Sequence, residues 1–267
     1  ASRVRQFHEL EQREVFLLVG FVDNGSDDTL VRHSAGATRM IRRSRGYVPL
    51  PVLLDKKRPP ILALGAELKN TVCLVKRRNA FVSQHIGDLK NFETYDYYRE
   101  TFERFSRTFR LEPSVIAHDL HPDYLSTQFA KDLGLPCIPV QHHHAHLAAC
   151  MLENQLDGEV LGLTWDGTGY GPDRTVWGGE FLLVPPEGGY RRVAHLRPFR
   201  LPGGEAAVRE PRRAALGLLH AAGGAAAWED DLPPVAATSA QERRVFAHIL
   251  DAGLRAPWTT SAGRLFD

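Results

Sequence analysis

Cysteine, net charge and long apolar runs are all scarce in this sequence, and each scarcity excludes a class of protein. The three cysteines, Cys73, Cys137 and Cys150, show no C-x-x-C spacing, which argues against a disulfide framework and favours a reducing cytoplasm. A net charge of +1 gives no overall attraction to nucleic acid or anionic membranes. No stretch reaches the roughly 18 apolar residues of a membrane span, and residues 1–6 do not open a signal-peptide-like apolar run. We therefore expect a cytoplasmic globular protein that binds neither nucleic acid nor membrane.

The composition suits one large or two ordinary domains, since the 267 residues are 43% hydrophobic and 24% charged. Short strands are predicted at 15–19 and 29–32, but residues 1–51 are too few for a core of their own. Prolines and consecutive basic residues predict a linker over 52–60. The main predicted domain therefore covers 61–267.

Strands and helices alternate in the first part of this domain. Strand 61–64 opens a meander, and aromatic residues at steps of three and four then predict a helix over about 92–109 with a buried stripe. Strand 115–117, helix 124–133 and strand 137–140 follow. This β-α-β order predicts a largely parallel sheet.

The second part begins the same order again. Strand 160–165 is followed by a glycine-rich turn at 167–171 and a returning strand at 175–184, and helices are predicted at 205–222 and 240–254. Two halves that each open with a strand, a glycine-bearing turn and a hairpin are the layout expected of duplicated actin-like ATPase domains. We therefore predict an α/β fold with mixed sheets and flanking helices.

Four histidines lie within residues 142–146, where an apolar strand gives way to a helix. His142 and His146 are four residues apart, so both imidazoles lie on one helical face and can bind one metal ion. Asp166 follows strand 160–165, and open α/β sheets bind ligands at strand ends. We predict a zinc or iron ion held by His142, His146 and Asp166. The alternative is a polar helix start with imidazoles hydrogen-bonded in the core.

Two glycine-bearing turns are candidates for a phosphate site. Gly167, Thr168 and Gly169 follow the second-half strand, and glycines there either allow close backbone approach to phosphate or provide positive φ. In the first hairpin turn, Lys69 beside Asn70 could neutralise a phosphate or could simply be a surface lysine. We take the phosphate interpretation as the prediction for the glycine-rich turn, and both roles stay open for Lys69.

Three polar residues directly after strand 115–117, His118, Asp119 and His121, are candidate catalytic residues. Their place at a strand end predicts that they line the ligand cleft. A local loop or capping role is the alternative.

Seven short motifs occur in a fixed order along the chain: ALGAELKNT at 63–71, SQHIGDL at 83–89, HDLHPDY at 118–124, VQHHHAH at 140–146, WDGTGYG at 165–171, WGGEF at 177–181 and GRLFD at 263–267. Together they resemble the Kae1-like domain of HypF-type carbamoyltransferases of hydrogenase maturation, over roughly 61–267. Residues 1–51 resemble the tail of the YrdC-like domain that precedes it. The implied fold class is an actin-like ATPase (ASKHA, Kae1-like) domain preceded by a YrdC-like remnant.

This resemblance implies a two-stage reaction. The YrdC-like domain makes carbamoyl adenylate from carbamoyl phosphate and ATP with magnesium, and the Kae1-like domain passes the carbamoyl group to the C-terminal cysteine of a HypE-type acceptor protein. The product is the precursor of a cyanide ligand of the NiFe site. A metal ion suits the second stage, because a Lewis acid can polarise the carbamoyl carbonyl while a thiolate attacks.

The resemblance also implies site residues. His142, His146 and Asp166 match the metal-binding positions. Nucleotide binding is implied for two glycine-bearing regions and their neighbours: Lys69, Asn70, Asp166, Gly167, Thr168, Gly169, Gly178, Gly179 and Glu180. The arginines at 42, 43 and 45 are implied to contact the adenylate, and the alternative for them is a basic surface turn.

The sequence also departs from the resembled family. The acylphosphatase-like domain, the paired zinc fingers and most of the YrdC-like domain are missing, so we expect a fragment that cannot complete the first stage. Two other transferases share parts of the pattern, a small-molecule O-carbamoyltransferase and a Kae1-type tRNA threonylcarbamoyl transferase. Domain order counts against the first, and the triple histidine and weak charge count against the second. A truncated, non-catalytic metal- or partner-binding remnant is the alternative from another class.

Overall fold

A computed structural model describes residues 29–34, 36–44, 46–229 and 231–267, together with the backbone of Val15 and Phe16. Contacts divide the chain into two compact units, residues 1–139 and residues 140–267. Among the described residues, no helix is long and apolar enough to cross a membrane.

The first unit contains two sheets. A small antiparallel sheet has β1 (Val15–Phe16), β2 (Leu30–Ser34) and β3 (Ala37–Arg42) in that order. The remaining elements are β4 (Val52–Ala63), β5 (Cys73–Val82), α1 (Phe92–Phe109), β6 (Val115–Asp119), α2 (Leu125–Asp132) and β7 (Cys137–Val140). The second sheet has the order β5-β4-β6-β7, and it is mixed because β4 pairs antiparallel with β5 and parallel with β6.

The core of the first unit lies where α1 and α2 pack on this mixed sheet. The side chain of Asn91 caps α1 by accepting a hydrogen bond from the third helical amide. The predicted aromatic stripe buries Tyr98 and Phe105 together with Ile116 of β6 and Phe129 of α2. Burying each such side chain stabilises the fold by about 1.5–3 kcal/mol. The helix predicted at 92–109 is therefore confirmed, as are the strand and helix signals that follow it.

The second unit packs helices against a sheet built on one hairpin. Its elements are α3 (His142–Glu153), β8 (Val160–Tyr170), β9 (Val176–Val184), β10 (Arg191–His195), β11 (Phe199–Arg200), α4 (Glu205–Arg209), α5 (Pro211–Gly223), a 3-10 helix (Gly224–Ala227), α6 (Pro233–Ala236), α7 (Ala240–Ala252), β12 (Trp258–Thr259) and α8 (Ala262–Phe266). The strand β9 pairs antiparallel with β8 and β10 and parallel with β12. Leu147 of α3 is buried against Trp177 and Leu182 of β9, which fixes the His-bearing helix on the hairpin.

Three local predictions need correction. The predicted linker at 52–60 lies within β4 instead. Its prolines fit there because the pairing with β5 shifts register on both sides of Arg58, where ladder hydrogen bonds are interrupted. The predicted turn at 167–171 is mostly strand, since β8 continues to Tyr170. The predicted helix at 205–222 is broken before Pro211, because proline disfavours helical backbone in the residue that precedes it.

Part of the predicted N-terminal organisation lies outside the described residues. The strand predicted at 15–19 is seen only as Val15–Phe16, since 17–19 are not described, and Arg45 is not described either. The likeness of residues 1–51 to a YrdC-like tail stays a prediction.

Candidate metal centre

The histidine cluster forms the first turn of α3, and one capping residue ties that turn to β8. Gln141 precedes the helix, and its side-chain oxygen accepts a hydrogen bond from the His144 amide at 2.9 Å. The amide nitrogen of the same side chain donates to the Tyr170 carbonyl at 3.3 Å. Gln141 is buried, so both contacts are partly shielded from water. The orientation of the first helical turn is thus fixed against the strand that carries Asp166.

His142, His146 and Asp166 bring three ligand atoms together. The distance from His142 Nε2 to Asp166 Oδ2 is 3.1 Å, that from His146 Nε2 to the same oxygen is 3.5 Å, and the two imidazole nitrogens are 3.2 Å apart. Among the residues that the structure describes, this is a group able to hold a metal ion, with its ligand atoms all within 4.8 Å. The predicted ligand set is therefore brought together by the fold.

The size of this triangle fits a first-row transition metal. With bonds of about 2.1 Å to nitrogen and oxygen, two ligands of a tetrahedral zinc lie about 3.4 Å apart, and neighbouring ligands of an octahedral ion lie about 3.0 Å apart. The three observed distances between ligand atoms, 3.1, 3.2 and 3.5 Å, are close to these two values. Side-chain exposure is 18% at His142 and 61% at His146, so one side of the cluster is open to an incoming ligand. An open position is typical of a catalytic metal site.

Asp166 is held in its charged form. Burial alone would raise its pKa, but hydrogen bonds from His142, His146 and the Gly167 amide outweigh burial, so the pKa lies well below its ordinary value. The Gly167 amide donates to Oδ1 at 2.6 Å, whereas Oδ2 faces the two imidazoles. One carboxylate oxygen is thus fixed by the backbone while the other points to the metal position.

The glycines beside Asp166 serve close packing. None of the glycines at 167, 169 and 171 has a positive φ, so the alternative explanation for these glycines does not apply. A Cβ at Gly169 would lie 2.3 Å from Cε1 of His143, which is fully buried. Burial lowers the pKa of His143 to about 4, so this imidazole packs as a neutral core side chain. Within residues 167–169, the exposed hydroxyl of Thr168 is the group best placed to meet a ligand.

The motif at 177–181 forms a buried polar network. Glu180 is fully buried and accepts hydrogen bonds from the amides of Gly178 and Gly179 at 3.0 and 3.2 Å. The guanidinium of Arg192 donates to it at 2.6 Å, and the hydroxyl of Thr260 also donates to it. Gly178, Gly179 and Glu180, which were predicted to bind a cofactor, are thus engaged in hydrogen bonds within the protein.

Lys69 and Asn70 have different environments in the first unit. Lys69 is exposed, with a positive φ of 45°, and it stays available to an anion. Asn70 is buried, and its amide donates to the carbonyls of Leu64 and Ala66 at 3.0 and 2.5 Å. Asn70 therefore closes the turn that presents Lys69.

His118, Asp119 and His121 lie together at the end of β6. His118 Nδ1 is 2.7 Å from the Asp119 carbonyl, and the Asp119 carboxylate accepts a hydrogen bond from the His121 amide at 2.8 Å. Burial lowers the pKa of His121, whose ring stacks on Tyr124 at 4.1 Å. These contacts organise the loop, and the predicted catalytic role stays a prediction.

Glu67 and Ser261, which lie outside the predicted sites, hydrogen-bond to backbone groups near them. Glu67 is buried, and its carboxylate accepts a hydrogen bond from the Leu125 amide at 2.9 Å, which caps α2 from a distant loop. Ser261 caps α8 and contacts the backbone at Asp166. Arg43, implied to contact the adenylate, donates instead to the carbonyls of Val82 and Leu50.

Comparisons with known proteins identify the domain. Residues 56–153 match the family model described as the HypF Kae1-like domain, and residues 162–267 match the model described as the second subdomain of the carbamoyltransferase Kae1-like domain. The fold and these matches define a Kae1-like domain with mixed sheets and flanking helices. The chain belongs to the HypF family.

Relatives and solved structures agree with this placement. Carbamoyltransferase HypF2 of Cupriavidus necator is 43% identical over 248 residues, which are 90% of this chain and 30% of that protein. Carbamoyltransferase HypF of Synechocystis sp. is 46% identical over 195 residues, 72% of this chain and 25% of that protein. A crystal structure of full-length HypF in the phosphate- and nucleotide-bound form has a TM-score of 0.84 at 44% identity, over 90% of this chain and 38% of that chain. A crystal structure of HypF of T. kodakarensis has a TM-score of 0.75 at 33% identity, over 90% of this chain and 33% of that chain. The chain thus spans about a third or less of these two curated relatives.

Proposed function

We propose that this chain carries the transfer site of a HypF-type carbamoyltransferase. The proposed reaction moves a carbamoyl group from carbamoyl adenylate, made from carbamoyl phosphate and ATP, to the C-terminal cysteine of a HypE-type acceptor, for cyanide ligand synthesis. Relatives that are named carbamoyltransferases and a solved relative in a phosphate- and nucleotide-bound form support the proposal. We also propose a cytoplasmic location, from the cysteine usage.

The observation that carries this proposal is the convergence of two imidazoles and one carboxylate within 4.8 Å. A zinc or iron ion bound by His142, His146 and Asp166 would act as a Lewis acid on the carbamoyl carbonyl. In the transfer, the acceptor thiol loses its proton, a sulfur–carbon bond forms, the carbon–oxygen bond to the phosphate of AMP breaks, and AMP leaves. The Asp166 carboxylate would partly offset the positive charge of the metal ion. The Gly167 amide fixes its Oδ1, which keeps Oδ2 in place.

The nucleotide would be bound by exposed groups. Thr168 is exposed close to Asp166, so we propose it for a contact with the phosphate of the adenylate. Separately, we propose the exposed Lys69 of the first unit as a residue that contacts the phosphates of ATP with magnesium. His118, Asp119 and His121 of the first unit remain proposed catalytic residues. The thiol proton is released to water. Gly178, Gly179 and Glu180 are not assigned to the nucleotide, because Glu180 already accepts the two glycine amides.

Metal content tests the foundation of this proposal. Protein purified without a tag or added metal should hold about one zinc or iron per chain, and His146→Ala should lose it while remaining folded. His144→Ala is the matched control, because His144 lies on the same helix but its ring packs against Tyr190 at 4.7 Å. A folded parent without metal, or equal metal loss in both variants, would contradict the assignment.

A transfer assay tests the reaction itself. The chain is mixed with a separately purified YrdC-like domain, ATP, carbamoyl phosphate and a HypE-type acceptor, and mass spectrometry follows addition of one carbamoyl group to the C-terminal peptide. We expect transfer with the parent and with His144→Ala, and none with His146→Ala. Metal binding without any transfer would reject catalysis by this chain and favour the non-catalytic metal-binding alternative.

A further inference from the structure

The segment that carries Asp166 receives little support from its own sheet. In the pairing of β8 with β9, Trp165 lies opposite Gly179 and Gly169 lies opposite Trp177, so residues 166–168 face the single residue Gly178. A bulge of this kind interrupts the ladder of hydrogen bonds and turns a side chain out of its regular direction. The metal-binding carboxylate therefore needs support from outside the hairpin.

That support comes from α8, which lies far along the chain. Ser261 is buried, and its Oγ lies 2.8 Å from the Asp166 carbonyl oxygen and 2.9 Å from that of Gly167. The same Oγ accepts a hydrogen bond from the Arg264 amide at 3.1 Å. The one hydroxyl of Ser261 thus caps α8 and fixes the backbone of the bulge.

Two glycines allow the bulge to be enclosed from both sides. A Cβ at Gly263 of α8 would lie 2.6 Å from the Cα of Gly167, and a Cβ at Gly178 of β9 would lie 2.4 Å from the Asp166 carbonyl oxygen. Real Cβ atoms do not approach other heavy atoms so closely. The backbone at Asp166 is therefore confined between β9 and α8, with Ser261 as its hydrogen-bond donor.

We propose that Ser261 is a positioning residue for the metal, acting through the backbone of Asp166 and Gly167. The inference rests on the proposed metal site and adds to it the element that holds its carboxylate. Ser261 fixes the two carbonyls, the Gly167 amide fixes Oδ1, and Oδ2 is left directed at His142 and His146. Loss of the hydroxyl frees the bulge, so the carboxylate must be ordered when metal binds.

Ser261→Ala tests this inference, with Ser239→Ala as a matched control. Ser239 is the N-cap of α7 and accepts a hydrogen bond from the third helical amide, as Ser261 does in α8, and α7 contributes no metal ligand. Zinc affinity is measured by competition with a chromophoric chelator on metal-free protein. We expect Ser261→Ala to weaken zinc binding about 10-fold or more, as loss of a group that orients a ligand does. Ser239→Ala should leave the affinity unchanged.

The absorption spectrum of the Co²⁺-substituted protein adds a readout that simple destabilisation does not move. Its d–d bands should shift in intensity or position in Ser261→Ala and stay unchanged in Ser239→Ala. If the parent binds zinc and Ser261→Ala binds it equally well, the positioning role is wrong and the metal site stands. If the folded parent binds no zinc, both the metal site and the positioning role are wrong.

If Ser261→Ala does not fold, amide hydrogen exchange of the unaltered protein, with and without zinc, tests the same inference. Because coupling between two sites is reciprocal, zinc should slow exchange of the amides in 260–267 more than of those in 239–253. Equal protection of the two peptides would overturn the inference. Selective protection of the α8 peptide would support it without any variant.

Discussion

Replacing Arg192 by methionine should destabilise the second unit strongly, because it leaves a fully buried carboxylate without its charged partner. Glu180 is 0% exposed, and Arg192 Nε donates to it at 2.6 Å. Methionine retains an apolar body against Trp177, over which the guanidinium lies at 4.1 Å. The change therefore removes the charge while keeping much of the packing.

The expected loss in free energy of unfolding is about 3 kcal/mol, the lower end of the 3–5 kcal/mol that removing one partner of a buried ion pair costs. The lower end applies because Glu180 keeps the amides of Gly178 and Gly179 and the Thr260 hydroxyl. The second ion pair of Arg192, with the more exposed Asp173, adds less than about 1 kcal/mol.

Urea unfolding followed by tryptophan fluorescence measures this loss. Arg191→Met is the control, since this exposed neighbour on β10 should change the free energy by no more than about 0.5 kcal/mol. The double variant Glu180→Gln/Arg192→Met should be more stable than Arg192→Met, because no buried charge is left unpaired. A loss below about 1 kcal/mol in Arg192→Met, or a double variant that is no more stable, would refute the reasoning.

Three further predictions concern packing, protonation and thiol reactivity. Gly169→Ala should lower both the melting temperature and zinc affinity, since its Cβ would lie 2.3 Å from the ring of His143; unchanged calorimetric melting would contradict this. Burial raises the pKa of Glu67 above its ordinary value of 4.5, so the native state binds the carboxyl proton more tightly than the unfolded state does. The free energy of unfolding should therefore fall as pH rises from 4.5 through the raised pKa, and Glu67→Gln should remove this fall when it is measured by urea unfolding at several pH values. Burial raises the pKa of the Cys73 thiol to about 11, so maleimide at neutral pH should label exposed Cys150 first by peptide mass spectrometry, and equal labelling would argue against this burial.

The parts of the fold that sequence patterns predicted are those fixed by local periodicity. The aromatic stripe of α1 and the spacing of His142 and His146 each follow from 3.6 residues per turn, and the structure has both. Asp166 was predicted because it follows an apolar strand, and strand ends meet ligands. These inferences needed only the residues within one or two elements.

The parts that sequence patterns missed depend on distant contacts. Pro59 and Pro60 in a basic stretch are typical of a linker, yet they lie in β4 because the register with β5 shifts nearby. Gln141 and Ser261 each contact β8. Gln141 contacts Tyr170, which is 29 residues away in the sequence, and Ser261 contacts Asp166, which is 95 residues away. Nothing in the local pattern around either residue contains that information.

The glycines around Asp166 have a packing role that composition alone does not reveal. Glycines near a strand end favour a phosphate-binding interpretation, but Gly169 is needed for His143, Gly178 for the Asp166 carbonyl and Gly263 for Gly167. Each of these glycines permits two protein segments to approach closely. The number of glycines here therefore reflects close packing around the metal-binding carboxylate. It follows that a phosphate contact should be sought at exposed Thr168 and Lys69, while alanine at the enclosed glycines should disturb the metal first and the nucleotide only as a consequence.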